Sequence, residues 1–194
     1  QAPPFRTPDS SRSRGFCLFG FRAKSRLRRE AVPQTRQRVI IIGQRVDLGE
    51  KLRFKFPQPT HSKNSELPHW VSIREAIDHF PDPDKDNDVL NHIYSAYKVE
   101  YRNFTGHRET DPDKPSPTVL ARGNGKGGVC AIPHYNGKRR LTIRESASVQ
   151  TFPEDFHFVG TMNSCYRQIG NAVPVLFARK LGDELVRLEK EENV

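Results

Sequence analysis

The 194-residue chain is short of sulfur and of long apolar runs, and each shortage removes a class of protein. Cys17, Cys130 and Cys165 stand far apart with no Cys-x-x-Cys among them, so neither a zinc site nor a disulfide framework is indicated. No stretch of about 18 apolar residues occurs, so no segment reads as a membrane-spanning helix. The opening Gln1-Ala-Pro-Pro4 lacks a basic region followed by an apolar one, and no secretory signal is read there. A reducing, cytoplasmic setting is the expectation. Lys126 is followed by Gly127 where a phosphate-binding loop needs Ser or Thr, which excludes a nucleotide triphosphatase of that type.

Basic charge, by contrast, is plentiful. The formal net charge is +9, and residues 1–30 alone hold eight Lys or Arg against Asp9 and Glu30, so +6 of it lies there. A polyanionic partner is implied, mainly through the N-terminus. Residues 1–31, rich in Arg, Ser and Pro, read as a disordered basic leader.

Val39-Ile-Ile-Ile-Gly43 then offers four β-branched residues in a row, the pattern of a strand buried on both faces inside a parallel sheet. Just before it, Gln34, Arg36 and Arg38 alternate on one side of an extended chain. Two guanidiniums so placed could clamp a phosphate or donate to a base carbonyl, although surface arginines are usually only solvated.

Further on, Ser72-x-x-Glu75 is a capping box that opens a short amphipathic helix within Trp70–Phe80. Pro81–Asp88 is an acidic loop without the glycine and closing glutamate of an EF-hand, so it reads as solvated. Lys114–Arg122 reads as a Thr-containing strand leading into the glycine-rich Gly123–Gly128. Thr142-x-x-Glu145 is a second capping box, predicting a helix from Ile143 that Pro153 ends. Gly170-Asn171 suits a tight turn, and Val173, Leu176, Phe177, Leu181, Leu185 and Leu188 predict an amphipathic closing helix.

Three blocks carry a resemblance: Gln34-x-Arg36-x-Arg38, Arg144-Glu145-Ser-Ala-Ser-Val-Gln-Thr-Phe-Pro153 and Gln168-Ile-Gly-Asn-Ala-Val-Pro174. In order and spacing they resemble the final signature blocks of the DNA cytosine-5 methyltransferases. The resemblance implies an α/β fold. Residues 32–46 and 143–194 would complete the doubly wound sheet domain that binds S-adenosylmethionine, and residues 47–142 would form a mixed, loop-rich target-recognition domain on double-stranded DNA. Such enzymes flip a cytosine out of the duplex and methylate its carbon 5 through a transient bond to a cysteine.

Carried onto this chain, Arg38 would hold the flipped base and Arg36 the adjacent backbone. Asn171 and Ala172 would lie beside the cofactor. Thr118 would contact phosphate, and Arg122, Asn124 and Lys126 bases or backbone, with an ordinary hairpin loop the alternative for each. Arg144, Glu145, Gln150 and Gly170 would be structural.

One departure bears on mechanism. The residues preceding the cysteines are Phe16, Val129 and Ser164, so none belongs to the family's Pro-Cys pair. No match to the cofactor loop or to the Glu-Asn-Val segment precedes residue 32. The chain alone is therefore expected not to transfer methyl groups, and the missing N-terminal half is expected as a separate polypeptide. A non-catalytic, sequence-selective DNA-binding module and a decayed gene fragment are the competing readings.

Overall fold

The computed structural model describes residues 19–44, 54–63, 66–95, 109–121, 132–137 and 139–192. Two capping boxes set where its first helices start. Helix α1 (Ile73–Ile77) begins where the Ser72 hydroxyl accepts the Glu75 N–H at 3.2 Å and the Glu75 carboxylate accepts the Ser72 N–H at 2.6 Å. Thr142 and Glu145 do the same for α2 (Ile143–Val149), at 3.0 and 2.8 Å. Pro153 does not end α2. Thr151 adopts a left-handed φ of 60°, and the Phe152 N–H returns to the Ala147 carbonyl at 3.0 Å. That closure completes the helix end before the proline is reached.

Gly170 and Asn171 form no turn between elements; they are the last two residues of a further helix, α3 (Met162–Asn171), capped by Thr161. Met162, Cys165, Tyr166 and Ile169 recur at helical spacing, and Cys165, Tyr166 and Ile169 are buried. The closing helix α4 runs Val175–Glu192. Its predicted apolar stripe is only partly covered: Phe177 and Leu188 are buried, whereas Leu176 and Leu185 are exposed.

The strands also depart from expectation. Strand β1 (Phe19–Arg26) pairs antiparallel with β2 (Gln37–Gln44), Phe19 opposite Gln44 and Arg26 opposite Gln37. Among the described residues this two-stranded sheet replaces the parallel sheet that Val39–Ile42 predicted. Val39 is 47% and Ile41 72% exposed, because no described element covers that face of β2. Residues 19–30, within the stretch expected as a basic leader, form β1 and the turn after it. A short 3-10 turn (Leu27–Glu30) follows β1, Leu27 and Val32 pack with Phe177, and Lys180 of α4 grips Glu30 at 2.8 Å. Apolar and ionic contacts with α4 hold Leu27, Glu30 and Val32. Residues 1–18 lie outside the described residues.

The main core joins α1, α2 and α3: Ile73, Ile77, Val119, Leu141, Ile143, Ala147, Phe158, Tyr166 and Ile169 form one buried cluster. Cys165 belongs to it as a free thiol, its Sγ 3.8 Å from the carbonyls of Phe158 and Gly160. Burial raises the Cys165 pKa. Tyr166 donates its hydroxyl to the Leu141 carbonyl at 2.6 Å, and burial likewise raises its pKa. No described helix is long and apolar enough to cross a membrane.

One cation is sunk into this core. Arg144, fully buried, donates Nε to the Leu90 carbonyl at 2.9 Å, Nη1 to that of Pro153 at 3.0 Å and Nη2 to that of Phe156. Its guanidinium thus ties α2 to the loop on either side, and burial lowers its pKa. Replacing it by leucine would leave these carbonyls without that donor. Arg144→Leu should therefore lower the unfolding free energy by about 3 kcal/mol or more, read by chemical denaturation. An unchanged midpoint would show that the fork carries no load.

Candidate functional site

The three stretches that carry the resemblance meet at a buried knot of amide groups. Gln34, just before β2, donates from Nε2 to Gln150 Oε1 at 3.2 Å, and Gln150 Nε2 donates in turn to the Ile169 carbonyl near the end of α3 at 2.8 Å. Neither glutamine has any exposed surface. The Val175 N–H donates to the Gln150 carbonyl at 3.1 Å, which brings in the start of α4. Buried side-chain amides of this kind are retained only where both ends find partners.

Around the knot the assigned residues fall into two groups, one turned inward and one turned outward. Arg36, which the sequence assigns to DNA backbone, is 8% exposed and donates Nη1 to the carbonyls of Gly170 at 3.1 Å and Val119 at 3.4 Å. Burial, and then the charge of Arg38, lower its pKa. Arg38 is exposed, with Nη1 on the neighbouring Gln37 carbonyl at 2.7 Å. Asn171 is exposed, and its side chain makes no hydrogen bond to a described residue; Ala172 is half-buried beside it as the cap of α3. Thr118 is half-buried on a stretch that is not a strand but a single parallel bridge, Gln34 to Ser116. Arg122, Asn124 and Lys126 lie outside the described residues.

Gly170 has its own geometric reason. A Cβ there would come within 2.5–2.6 Å of Leu120 C and Ala121 Cα and would also strike the Ala121 nitrogen. Only glycine lets the 119–121 backbone lie directly on α3.

Glu145 stands at a second cluster that the sequence did not single out. Its carboxylate pairs with the Arg139 guanidinium in two bonds of 2.7 Å, and both groups are buried. His134 lies beside them with Nδ1 accepting the Asn136 N–H at 3.1 Å and Nε2 3.9 Å from Glu145. The cluster borders a cavity of about 230 Å³ that Asp78, Asp82 and Tyr135 also line. Burial, and then the Arg139 charge, lower the His134 pKa. The available sequence signal was the proximity of Arg139 to the capping-box glutamate. Among the described residues no group of His, Cys, Asp and Glu could hold a metal ion.

Comparison with known proteins settles what this arrangement belongs to. Residues 30–187 match the model of the C-5 cytosine-specific DNA methylases. The chain belongs to that family. Among its relatives, the type II methyltransferase M.NgoFVII of Neisseria gonorrhoeae is 35% identical over 166 residues, which cover 74% of this chain and 43% of the relative. The type II methyltransferase M1.HphI of Haemophilus parahaemolyticus is 30% identical over 200 residues, covering 91% of this chain and 51% of that one. The chain thus spans about half the length of these curated relatives. A prophage-encoded protein of E. coli, described as a DNA modification methyltransferase, shares the fold with a TM-score of 0.61 at 19% identity, over 89% of this chain and 61% of that structure.

The His134 cluster gives this methylase-family chain a defined acid response. A lowered folded pKa means that the unfolded chain takes up a proton that the fold resists. Its contribution to stability is complete above the ordinary histidine value of about 6.5 and is lost as pH falls below it. Between about pH 7.5 and about pH 5.5 the thermal midpoint should fall, and His134→Asn, which keeps an acceptor for the Asn136 N–H, should shrink that fall. An equal fall in both proteins would remove His134 as a cause.

Proposed function

We propose that the chain supplies the target-recognising and C-terminal portion of a DNA cytosine-5 methyltransferase. The observation that carries this reading is the convergence of the three signature blocks on the Gln34–Gln150–Ile169 knot, with Arg38 and Asn171 left exposed around it. In the proposed roles, Arg38 donates to a flipped-out cytosine and offsets its developing charge, as a rigid fork of donors can. Thr118, followed by Arg122, Asn124 and Lys126, meets the duplex.

Asn171 and Ala172 suit a position beside S-adenosylmethionine. An exposed amide with no partner among the described residues can accept from, or donate to, the polar groups of such a ligand, and the adjoining Val173, 56% exposed, offers it apolar surface. S-adenosylmethionine would supply the methyl group for carbon 5. The chain's own part is to bind and orient DNA and to close one side of the cofactor site. The cysteine that must add to the base is not among Cys17, Cys130 and Cys165, none of which follows a proline. Nucleophile and cofactor loop must therefore come from a segment other than residues 1–194. A non-catalytic DNA-binding module remains the second reading, favoured by the same lack of a Pro-Cys pair.

A methyl-transfer assay with labelled S-adenosylmethionine and duplex DNA tests both. The chain alone should be silent. Supplying a family segment that carries the Pro-Cys pair and cofactor loop, joined upstream or mixed in, should give activity that Arg38→Ala lowers by about 100-fold or more, the scale of losing a donor to developing charge. Transfer by the chain alone would defeat the proposed division of labour. Duplex binding that persists while every complemented form stays silent would favour the binding module.

A further inference from the structure

The side chains of Gln34 and Arg36 read the backbone of one residue, Val119, from both sides. The Val119 N–H donates to Gln34 Oε1 at 3.1 Å, and the Val119 carbonyl accepts from Arg36 Nη1 at 3.4 Å. Three residues before Val119, the same pair of segments is joined by backbone alone. Ser116 N–H donates to the Pro33 carbonyl, and Thr35 N–H to the Ser116 carbonyl, both at 2.9 Å. The two side chains thus carry the link beyond a one-residue parallel bridge.

The third wall of this channel is α3. Arg36 Nη1 also donates to the Gly170 carbonyl at 3.1 Å, and the bare Cα of Gly170 receives the 120–121 backbone. The stretch 116–121 is therefore held in one register between the approach to β2 and the C-terminal end of α3. A shift of even one residue would unpair the Val119 N–H and press Cα substituents onto Gly170. That stretch carries Thr118 and leads directly into residues 122–126.

We propose that Gln34 and Arg36 are positioning residues: they clamp the Val119 peptide against Gly170 and thereby aim the DNA-contacting segment, and Arg36 itself does not meet DNA. The two arginines of the block divide their tasks. Arg38 is exposed, whereas Arg36 is buried with Nη1 on two carbonyls of the protein. The proposal rests on the reading of this chain as a DNA-contacting methyltransferase portion only for what the clamp aims at.

The experiment uses the full chain and its Arg36→Gln, Arg36→Lys, Arg38→Gln and Gly170→Ala variants, with two readouts. Amide hydrogen exchange at Val119 and Ser116 should quicken about tenfold or more in Arg36→Gln and in Gly170→Ala, with α4 amides unchanged. Arg36→Lys, which keeps a donor for the carbonyls, should restore most of the protection. Binding to a mixed-sequence DNA duplex, followed against salt, separates clamp from phosphate contact. Arg36→Gln should leave the slope of log affinity against log salt as in the parent, since loss of one phosphate contact lowers it by about 0.9; Arg38→Gln, at the base-contacting position, should weaken binding without that change of slope.

A slope that drops by about one in Arg36→Gln would overturn the proposal, as would unchanged exchange at Val119. Should Arg36→Gln fail to fold, Gly170→Ala and Arg36→Lys still decide through exchange. If the parent chain binds no duplex at any salt, the DNA reading fails, and exchange alone then judges the clamp.

Discussion

Two buried glutamines, 116 positions apart in sequence, share one hydrogen bond, and the arrangement of the chain depends on it. Gln34 and Gln150 each carry both a donor and an acceptor into a place without water. Each must therefore find two kinds of partner, and the partners available are the Val119 N–H and the Ile169 carbonyl. An apolar pair could hold the same volume but would tolerate sliding. The amides do not, because any slip leaves a buried group unmatched at about 1–3 kcal/mol. That cost gives specificity to a chain whose apolar content is modest.

Short-range chemistry was legible in the sequence. Both capping boxes lie within four residues, and both open helices where the spacing places them. The closing amphipathic helix was legible for the same reason, since its period is local. What failed was whatever depends on a distant neighbour. Four β-branched residues at 39–42 do mark a strand, but composition cannot say what covers it, and Ile41 stands largely in solvent. Gly170-Asn171 has the chemistry of a turn. In the structure the glycine serves a close approach of the 120–121 backbone to a helix instead.

The site divides in the same manner. Alternation put Gln34, Arg36 and Arg38 on one side of an extended chain, but in the structure Gln34 and Arg36 are buried and Arg38 is exposed. Which of the two arginines is buried was set by residues 83 and 134 positions further on, through the carbonyls of Val119 and Gly170. Likewise Arg139 gains its meaning only from the antiparallel bridge of Pro133 with Arg140 and from its pairing with Glu145. The leader offers the converse case. Its basic composition argued for disorder, yet Leu27 and Glu30 are drawn onto α4 by Phe177 and Lys180, and Arg28 stacks 4.0 Å over the Trp70 ring. Three specific contacts outweigh a compositional trend.

Cys165 gives this architecture a built-in gauge. Its sulfur sits in the core against two carbonyls, and burial keeps it in the protonated, unreactive form. It shares helix α3 with Ile169 and Gly170, on which Gln150 and Arg36 close. An alkylating reagent can reach it only when that helix lifts from the core. The rate of modification at this single thiol therefore measures how often the meeting point of the three blocks comes apart, a clock for local opening that requires no foreign label.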